Sequence, residues 1–311
     1  MTELADNWQA KLRNCNCCPR ECATDRAALK KGFCNTGTGF AVTSICAHMG
    51  EEPVLSGPHG ICNIFFAHCN LQCIYCQNYQ ISDNRTPSEW FEMPLEDIIA
   101  EIEAILDSGA IGVGFVSPSH ALAQMHRIIE ALRQRGRKPV YVYNTNGYDK
   151  LDTIQSLEGT IDVYLPDLKY ADSALAREYS GAGDYPEVAG RALKEMYRQK
   201  GADITLDDNE LIIDGLVIRH LVLPNHVDNS KAVLRFIAEE LSPDVHISLM
   251  AQYHPTPRVA DHPRLGRPLR QREYDEVVRE FERLGFYRGF VQDLSSPHHY
   301  LPDFMKDNPF E

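Results

Sequence analysis

Cysteine is missing from most of this chain. All ten cysteines of the 311 residues fall between positions 15 and 76, and residues 77–311 contain none. A disulfide-stapled fold spreads its bridges through the structure, so this distribution excludes one. No apolar run reaches eighteen residues, which excludes a membrane-spanning helix. Met1–Arg13 is polar and mixed in charge, without the apolar stretch of a secretory leader, so a cytoplasmic location is expected. Positive charge is also short, with 31 Lys and Arg against 44 Asp and Glu and a net charge of −13. Such a balance repels phosphate backbones and anionic lipid, so neither nucleic acid nor a membrane is an expected partner. One basic group, Arg133, Arg135, Arg137 and Lys138, reads as a helix C-terminus. Internal repeats and low-complexity segments are absent. What remains is a globular composition, 43% apolar and 24% charged, at a length a single α/β barrel can use.

Three regions follow along the chain. Residues 1–55 are rich in cysteine and poor in apolar runs, a segment too small in core to fold without added support such as a metal. Residues 56–292 alternate strand-like and helix-like patterns. Residues 293–311 form a tail whose Pro297, Pro302 and Pro309 are interspersed with Tyr300, Phe304 and Phe310, aromatics that predict packing onto the rest. Strands are predicted at Ile61–Ala67, Ile111–Val116, Pro139–Tyr143, Ile161–Leu165, Leu216–Leu223, Val245–Met250 and, short and last, Gly289–Gln292. Helices are predicted at Leu95–Leu106, Ala121–Arg135, Ser173–Tyr179, Pro186–Lys200, Ser230–Leu241 and Gln271–Leu284. The alternation implies a parallel sheet with helices outside. About six units are too few to close an eight-stranded barrel, so an open, partial β/α barrel is predicted, with a doubly wound sheet as its rival. In either fold, chemistry belongs just after the strands.

The first predicted strand runs into Cys69-Asn-Leu-Gln-Cys73-Ile-Tyr75-Cys76. Three thiolates in eight residues grip one face of a 4Fe–4S cluster, which ordinarily has four cysteine ligands, and leave one iron free. Zinc is the alternative, with His68 as a fourth ligand. The Cys-x3-Cys-x2-Cys spacing with an aromatic before the last cysteine resembles the signature of the radical S-adenosylmethionine superfamily. The resemblance implies that the open iron chelates the cofactor's methionine amine and carboxylate. One electron then cleaves the cofactor to a 5′-deoxyadenosyl radical, which abstracts hydrogen from a substrate. Cys69, Cys73 and Cys76 would carry that chemistry, and Tyr75 would lie near the adenine.

Further along, the chain resembles pyruvate formate-lyase activating enzymes, within a branch that begins with a Cys-Pro-Arg-x-Cys segment. Asn144-Thr145-Asn-Gly147 is similar to the activases' Asp-Thr-Asn-Gly turn, which helps hold a monovalent cation; Asn144 replaces the aspartate here. Asp167-Leu-Lys169 is similar to their Asp-Leu-Lys, and such a pair can engage a zwitterionic cofactor. Arg219, within Ile218-Arg-His-Leu-Val-Leu-Pro224, is expected to face the cofactor or cluster, and His254, within Gln252-Tyr-His-Pro255, the cofactor ribose. Where the activases carry Gly-Gly-Glu, this chain has Ser117-Pro-Ser-His120, with Ser117 and the backbone available to the cofactor amine. His120 there is a cofactor contact, a substrate contact or a helix-start residue.

A second cysteine set, Cys15, Cys18, Cys22 and Cys34, has the grouping of a tetrahedral metal centre, zinc or a second iron–sulfur cluster, with Cys17 able to replace Cys15. Cys46 and Cys62 read as small core residues. Glu51-Glu52-Pro53 reads as a solvated acidic pair. Three functions are compatible with these motifs: a glycyl-radical-enzyme activase, a radical oxidoreductase acting on a small molecule or peptide, and a non-catalytic iron–sulfur electron carrier. Asp167, Lys169, Arg219 and His254 weigh against the last, which has no use for them. The substrate, protein or small molecule, is left open, and an electron donor such as flavodoxin or ferredoxin is the implied partner.

Overall fold

The computed structural model describes residues 10–294, 301–306 and 308–310. Most of Met1–Arg13, and the tail's Pro297 and Tyr300, lie outside the described residues. The strands are β1 (Val42–His48), β2 (Ile61–Phe66), β3 (Gly112–Val116), β4 (Val140–Thr145), β5 (Val163–Pro166), β6 (Thr205–Leu206), β7 (Ile212–Leu221), β8 (His246–Met250) and β9 (Gly289–Val291). They form one sheet in the order β1-β2-β3-β4-β5-β7-β8-β9, with β6 antiparallel on β7. β1 pairs antiparallel with β2, and every later step along the path is parallel. A doubly wound sheet reverses its strand order at a switch point. Here the order only rises and no pairing joins β9 to β1 among the described residues, so the sheet is an open partial barrel.

Burial explains the strand sequences. β2 (Ile-Cys-Asn-Ile-Phe-Phe) and β5 (Val-Tyr-Leu-Pro) are buried at every position, as parallel strands covered on both faces must be. The outer layer is α1 (Leu95–Asp107), α2 (Leu122–Gln134), α3 (Leu151–Ser156), α4 (Ser173–Ser180), α5 (Tyr185–Lys200), α6 (Val227–Glu240) and α7 (Gln271–Arg283). On α1, Ile98, Ile99 and Ile102 form the buried stripe of an amphipathic helix. α4 starts where Asp172 accepts the Ala174 and Leu175 N–H groups and stops at Gly181 in the left-handed region. Two members of the basic group at the end of α2 pair with α1, through Arg135–Glu96 and Arg137–Asp107 ion pairs.

The elements that the sequence pattern does not give include β1, β6 and α3, and β7 starts early. β1 was not predicted; it is an edge strand with a register irregularity between Val42 and Ser44 and only three buried positions of seven. The strand expected from Leu216 begins at Ile212, because the β6 hairpin pairs with its first residues. The tail packs on the β1–β2 edge: Phe304 and Phe310 lie 5.2 and 5.8 Å from Phe65, and Phe310 lies 3.9 Å from His48. Gln80 ties it down, donating to Asp303 Oδ1 (3.0 Å) and accepting the Phe304 N–H (2.8 Å). Cys46 and Cys62 are both buried in the core. No helix among the described residues is long and apolar enough to cross a membrane.

Candidate active site

The carboxyl ends of the parallel strands open on one cavity of about 670 Å³. The loop after β2 brings Cys69, Cys73, Tyr75 and Cys76 to its wall. Ser117 follows β3, Asn144 is the last residue but one of β4, and Asp167 and Lys169 follow β5, all lining the same cavity. Arg219 reaches it from β7. Thr145 and His254 do not line it. Thr145 is buried behind the wall, donating to Asp149 Oδ2 at 2.5 Å. The loop after β8 presents Gln252 instead of His254, whose carbonyl accepts from Gln77 at 2.9 Å. A sequence places a loop but does not settle which of two nearby side chains turns inward.

The cysteine loop is held by donors that the sequence did not single out. Asn146 Nδ2 donates to Cys69 Sγ (3.3 Å) and to Asn70 Oδ1 (2.8 Å), and Asn70 Nδ2 donates to Tyr148 O (2.8 Å). The Leu71 N–H points at Cys69 Sγ (3.4 Å), and Ser180 Oγ donates to Cys73 Sγ (3.0 Å). Tyr170 OH lies 2.7 Å from both Ser180 Oγ and Tyr75 OH, joining the aromatic of the motif to its central cysteine. Gly147 has φ +80°, and a Cβ there would stand 2.2 Å from Asp167 O, so the β4 and β5 loops touch only through a glycine. His68, the alternative zinc ligand, is turned away: Nε2 meets Thr86 O at 2.9 Å and Nδ1 faces Thr36 Oγ1 at 3.5 Å.

Electrostatics suit a cationic iron centre. Burial pushes the Cys69 thiol up to about 12, with Cys73 adding to the shift, and burial likewise raises Cys73. Thiols in this state ligate only if a cation offsets the thiolate charge. Burial opposes the charge of Lys169, but Asp167 at 2.5 Å outweighs it and keeps the ammonium protonated. Ser117 takes the left-handed conformation (φ +51°) and donates its N–H to Asn144 O at 2.7 Å. His120 is a buried structural residue: its Nε2 meets Ala67 O at 2.8 Å and burial lowers its pKa to about 3, so it is neutral.

Glu51 and Glu52 are not solvated. Both are ion-paired to Arg219, Glu52 Oε1 accepting from Nε at 2.8 Å while Nη2 serves Glu52 Oε2 (2.5 Å) and Glu51 Oε2. Asn63 Nδ2 donates to Glu51 Oε1 at 2.7 Å. Burial disfavours the Glu51 carboxylate, but Arg219, with Asn63 donating to it, overrides it and holds its pKa down at about 2. The pairing spans 167 and 168 residues of chain, which is why the sequence alone left these acids without a role.

Cys15, Cys17, Cys18, Cys22 and Cys34 line a small pocket of their own. Buried Arg26 stands among them, its Nη1 3.9 Å from Cys15 Sγ and its Nη2 3.7 Å from Cys34 Sγ, while both nitrogens donate to His120 O at 3.0 Å. The Phe33 N–H donates to Cys22 Sγ (3.2 Å), and a Cβ on Gly32 would lie 2.8 Å from that sulfur. A Cys17 hydrogen bond, opposed by burial and helped by Arg26, lowers Cys15 to about 6, whereas burial pushes Cys18 up to about 12. Among the described residues, no three His, Cys, Asp or Glu side chains converge on a single-ion position. Arg20 links this segment to the first cysteine loop. It donates to Asn70 O and Gly181 O, each at 2.8 Å, with its guanidinium 4.0 Å from the Phe33 ring and 5.2 Å from the Tyr148 ring.

An open parallel partial barrel with a three-cysteine loop after its first parallel strand defines an α/β protein built to carry a cluster beside a cavity. The model of the Radical SAM superfamily matches residues 63–237, more than half the chain, and the protein belongs to that superfamily. It is 28% identical over 287 residues to the uncharacterized protein MJ0674 of Methanocaldococcus jannaschii, covering 90% of this chain and 76% of the relative. It is 24% identical over 280 residues to MJ0808 of the same organism, covering 84% and 75%. Its fold is similar to that of Streptococcus suis SuiB bound to precursor peptide SuiA, with a TM-score of 0.50 and 16% identity over 76% of this chain. The chain spans about half the length of that protein, 49% of it.

The superfamily implies a 4Fe–4S cluster and S-adenosylmethionine. The residues present fit both: three thiols beside one cavity, donors aimed at two of the sulfurs, and a half-buried cation–carboxylate pair on the same wall.

Proposed function

We propose that the protein is an oxidoreductase that uses a cluster on Cys69, Cys73 and Cys76 to act by radical chemistry on a small molecule or a short peptide. When bound, the cluster and S-adenosylmethionine supply a 5′-deoxyadenosyl radical by one-electron reductive cleavage, and that radical takes hydrogen from the substrate. Lys169 and Asp167 would hold the charged ends of the cofactor, with Ser117 and Asn144 offering acceptors to its amine. The walls exclude water and stray hydrogen donors. The observation that carries the small-substrate reading is the tail, whose Pro302 and Phe310 form part of the cavity wall and narrow the way in.

A second reading, an activase of a glycyl radical enzyme, is favoured by the open edge between β1 and β9, where a protein segment has a route to the cavity once the tail lifts. In both readings Cys15, Cys18, Cys22 and Cys34 hold a second metal centre, zinc or iron–sulfur, and a flavodoxin or ferredoxin supplies the electron. The test is iron, sulfide and zinc content of anaerobically reconstituted protein together with 5′-deoxyadenosine release after dithionite. About four irons with release is the expected outcome if the second centre is zinc, and about eight if it is a cluster. Zinc alone, or iron without release in the presence of reductant, overturns the reading. Removal of residues 301–311 separates the two substrates: it should loosen small-molecule turnover but leave, or raise, reaction on a protein segment.

A further inference from the structure

The inner floor of the cavity carries a charge that the cofactor-binding loops do not use. Asn63 lies three residues before the end of β2, about 10 Å in from that end at ~3.3 Å per residue. Gly114 on β3 makes room for it, since a Cβ there would stand 2.1 Å from Asn63 Oδ1. Glu51 docks on Asn63, and Glu51 and Glu52 share the single guanidinium of Arg219. Two carboxylates on one cation leave this floor at −1, and the Asp167–Lys169 pair nearby cancels itself. A buried charge without a counter-charge is costly, and a cationic ligand removes that cost. A second observation points to the same place. His48 lines this cavity, is only 7% exposed, and its Nδ1 has no hydrogen-bond partner. Burial lowers its pKa against the pull of Glu51, so the ring is neutral and has a lone pair to offer. The Phe310 ring lies 3.9 Å from it, and Phe65 and Phe290 add apolar wall to the same cavity.

We propose that Glu51 and His48 form a subsite for a cationic nitrogen of the substrate, an alkylammonium or guanidinium group on an apolar stem. This rests on the radical-enzyme reading only in taking the cavity as the place where substrate sits. The cation donates to a free lone pair of the Glu51 carboxylate and to His48, while its stem lies against the phenylalanine rings. An anionic group is repelled from the same floor. The sulfonium and amine of S-adenosylmethionine are a second source of the same charge, so the test separates them.

On the reconstituted full-length protein, binding of n-pentylamine and of neutral 1-pentanol is measured by calorimetry at neutral pH, with and without saturating S-adenosylmethionine. Release of 5′-deoxyadenosine is followed in the same preparation. The amine is expected to bind at least tenfold more tightly than the alcohol with the cofactor present, and Glu51→Gln is expected to remove most of that preference. Equal binding of the two by the unmodified protein overturns the proposal, and this comparison stands even if Glu51→Gln does not fold. Loss of the preference on adding the cofactor also overturns it and assigns the charge to the cofactor. A preference without deoxyadenosine release leaves the subsite standing and refutes the radical reading; release without a preference does the reverse.

Discussion

The two cysteine sets of this molecule use the same residue with opposite surroundings. Cys69, Cys73 and Cys76 open on a cavity of about 670 Å³ shared with groups from β3, β4, β5 and β7. Cys15, Cys18, Cys22 and Cys34 face a space of about 10 Å³ filled by one another and by Arg26. Chemistry with an exchangeable ligand needs a free side, and only the first set has one. The second is knitted into its own backbone, with Cys15 N–H on Thr24 O and Ala23 N–H on Cys15 O, each at 2.9 Å. A closed thiol set suits a structural role, and its position suits support of the first set, since Arg20 and Arg26 tie it to Asn70 and His120.

The comparison predicts its own largest effect. Cys73→Ala should remove the first cluster and bring 5′-deoxyadenosine release to background, measured against iron content of the same preparation. Cys18→Ala should act on the other quantity first. It should lower the metal of the second centre and lower stability by about 2–4 kcal/mol, or ~3–6 °C in thermal midpoint for a chain of this size, while the first cluster still forms. If Cys18→Ala abolished cofactor cleavage with its folding intact, the division between an active and a supporting set would fail. Unchanged metal content in that variant would show that the second set holds none.

Local information was legible and distant information was not. The Cys69–Cys76 spacing, the Asp167–Lys169 pair and the placement of both after strands are short-range patterns, and the folded chain brings them to one cavity. The parallel strands were readable because β2 and β5 are buried on both faces and therefore apolar almost throughout, Asn63 apart. β1 escaped because an edge strand with polar and small residues carries no such run. The role of Glu51 and Glu52 depends on Arg219, far along the chain, and nothing near Pro53 announces it. The hydrogen bond from Ser180 to Cys73 spans 107 residues, and its donor sits at the end of a helix that looks unremarkable in sequence.

The link between the two sets can be cut separately. Arg20→Ala removes two side-chain-to-backbone hydrogen bonds of 2.8 Å and the guanidinium packing on Phe33 and Tyr148. A loss of about 2 kcal/mol in unfolding free energy is expected. Faster loss of iron from the first cluster under a chelator should accompany it, because Asn70, next to Cys69, is one of the anchors released. Arg20→Lys should not restore the behaviour, since an ammonium lacks the planar fork that serves two carbonyls at once. An Arg20→Ala protein that lost stability but held its first cluster as firmly as before would show that the two sets are only neighbours.

The smallest expected effect is the most specific to the first set. Ser180 Oγ donates to Cys73 Sγ at 3.0 Å, and its own hydroxyl neighbour, Tyr170, continues to Tyr75. Reduction adds negative charge to a cluster and its thiolates, so a donor on the sulfur stabilises the reduced form more than the oxidised one. Ser180→Ala should therefore make the cluster harder to reduce. A change of about tenfold in the redox equilibrium corresponds to ~59 mV for one electron. The measurement is a potentiometric titration followed by the spectroscopic signal of the reduced cluster, with Ser180→Thr as the variant that keeps the hydroxyl. Tyr170→Phe should move the potential less in the same direction, because it removes only the second hydroxyl of the chain. An unchanged potential in Ser180→Ala would mean that the hydroxyl positions the loop without tuning its charge, and the open set would then owe its reactivity to access alone.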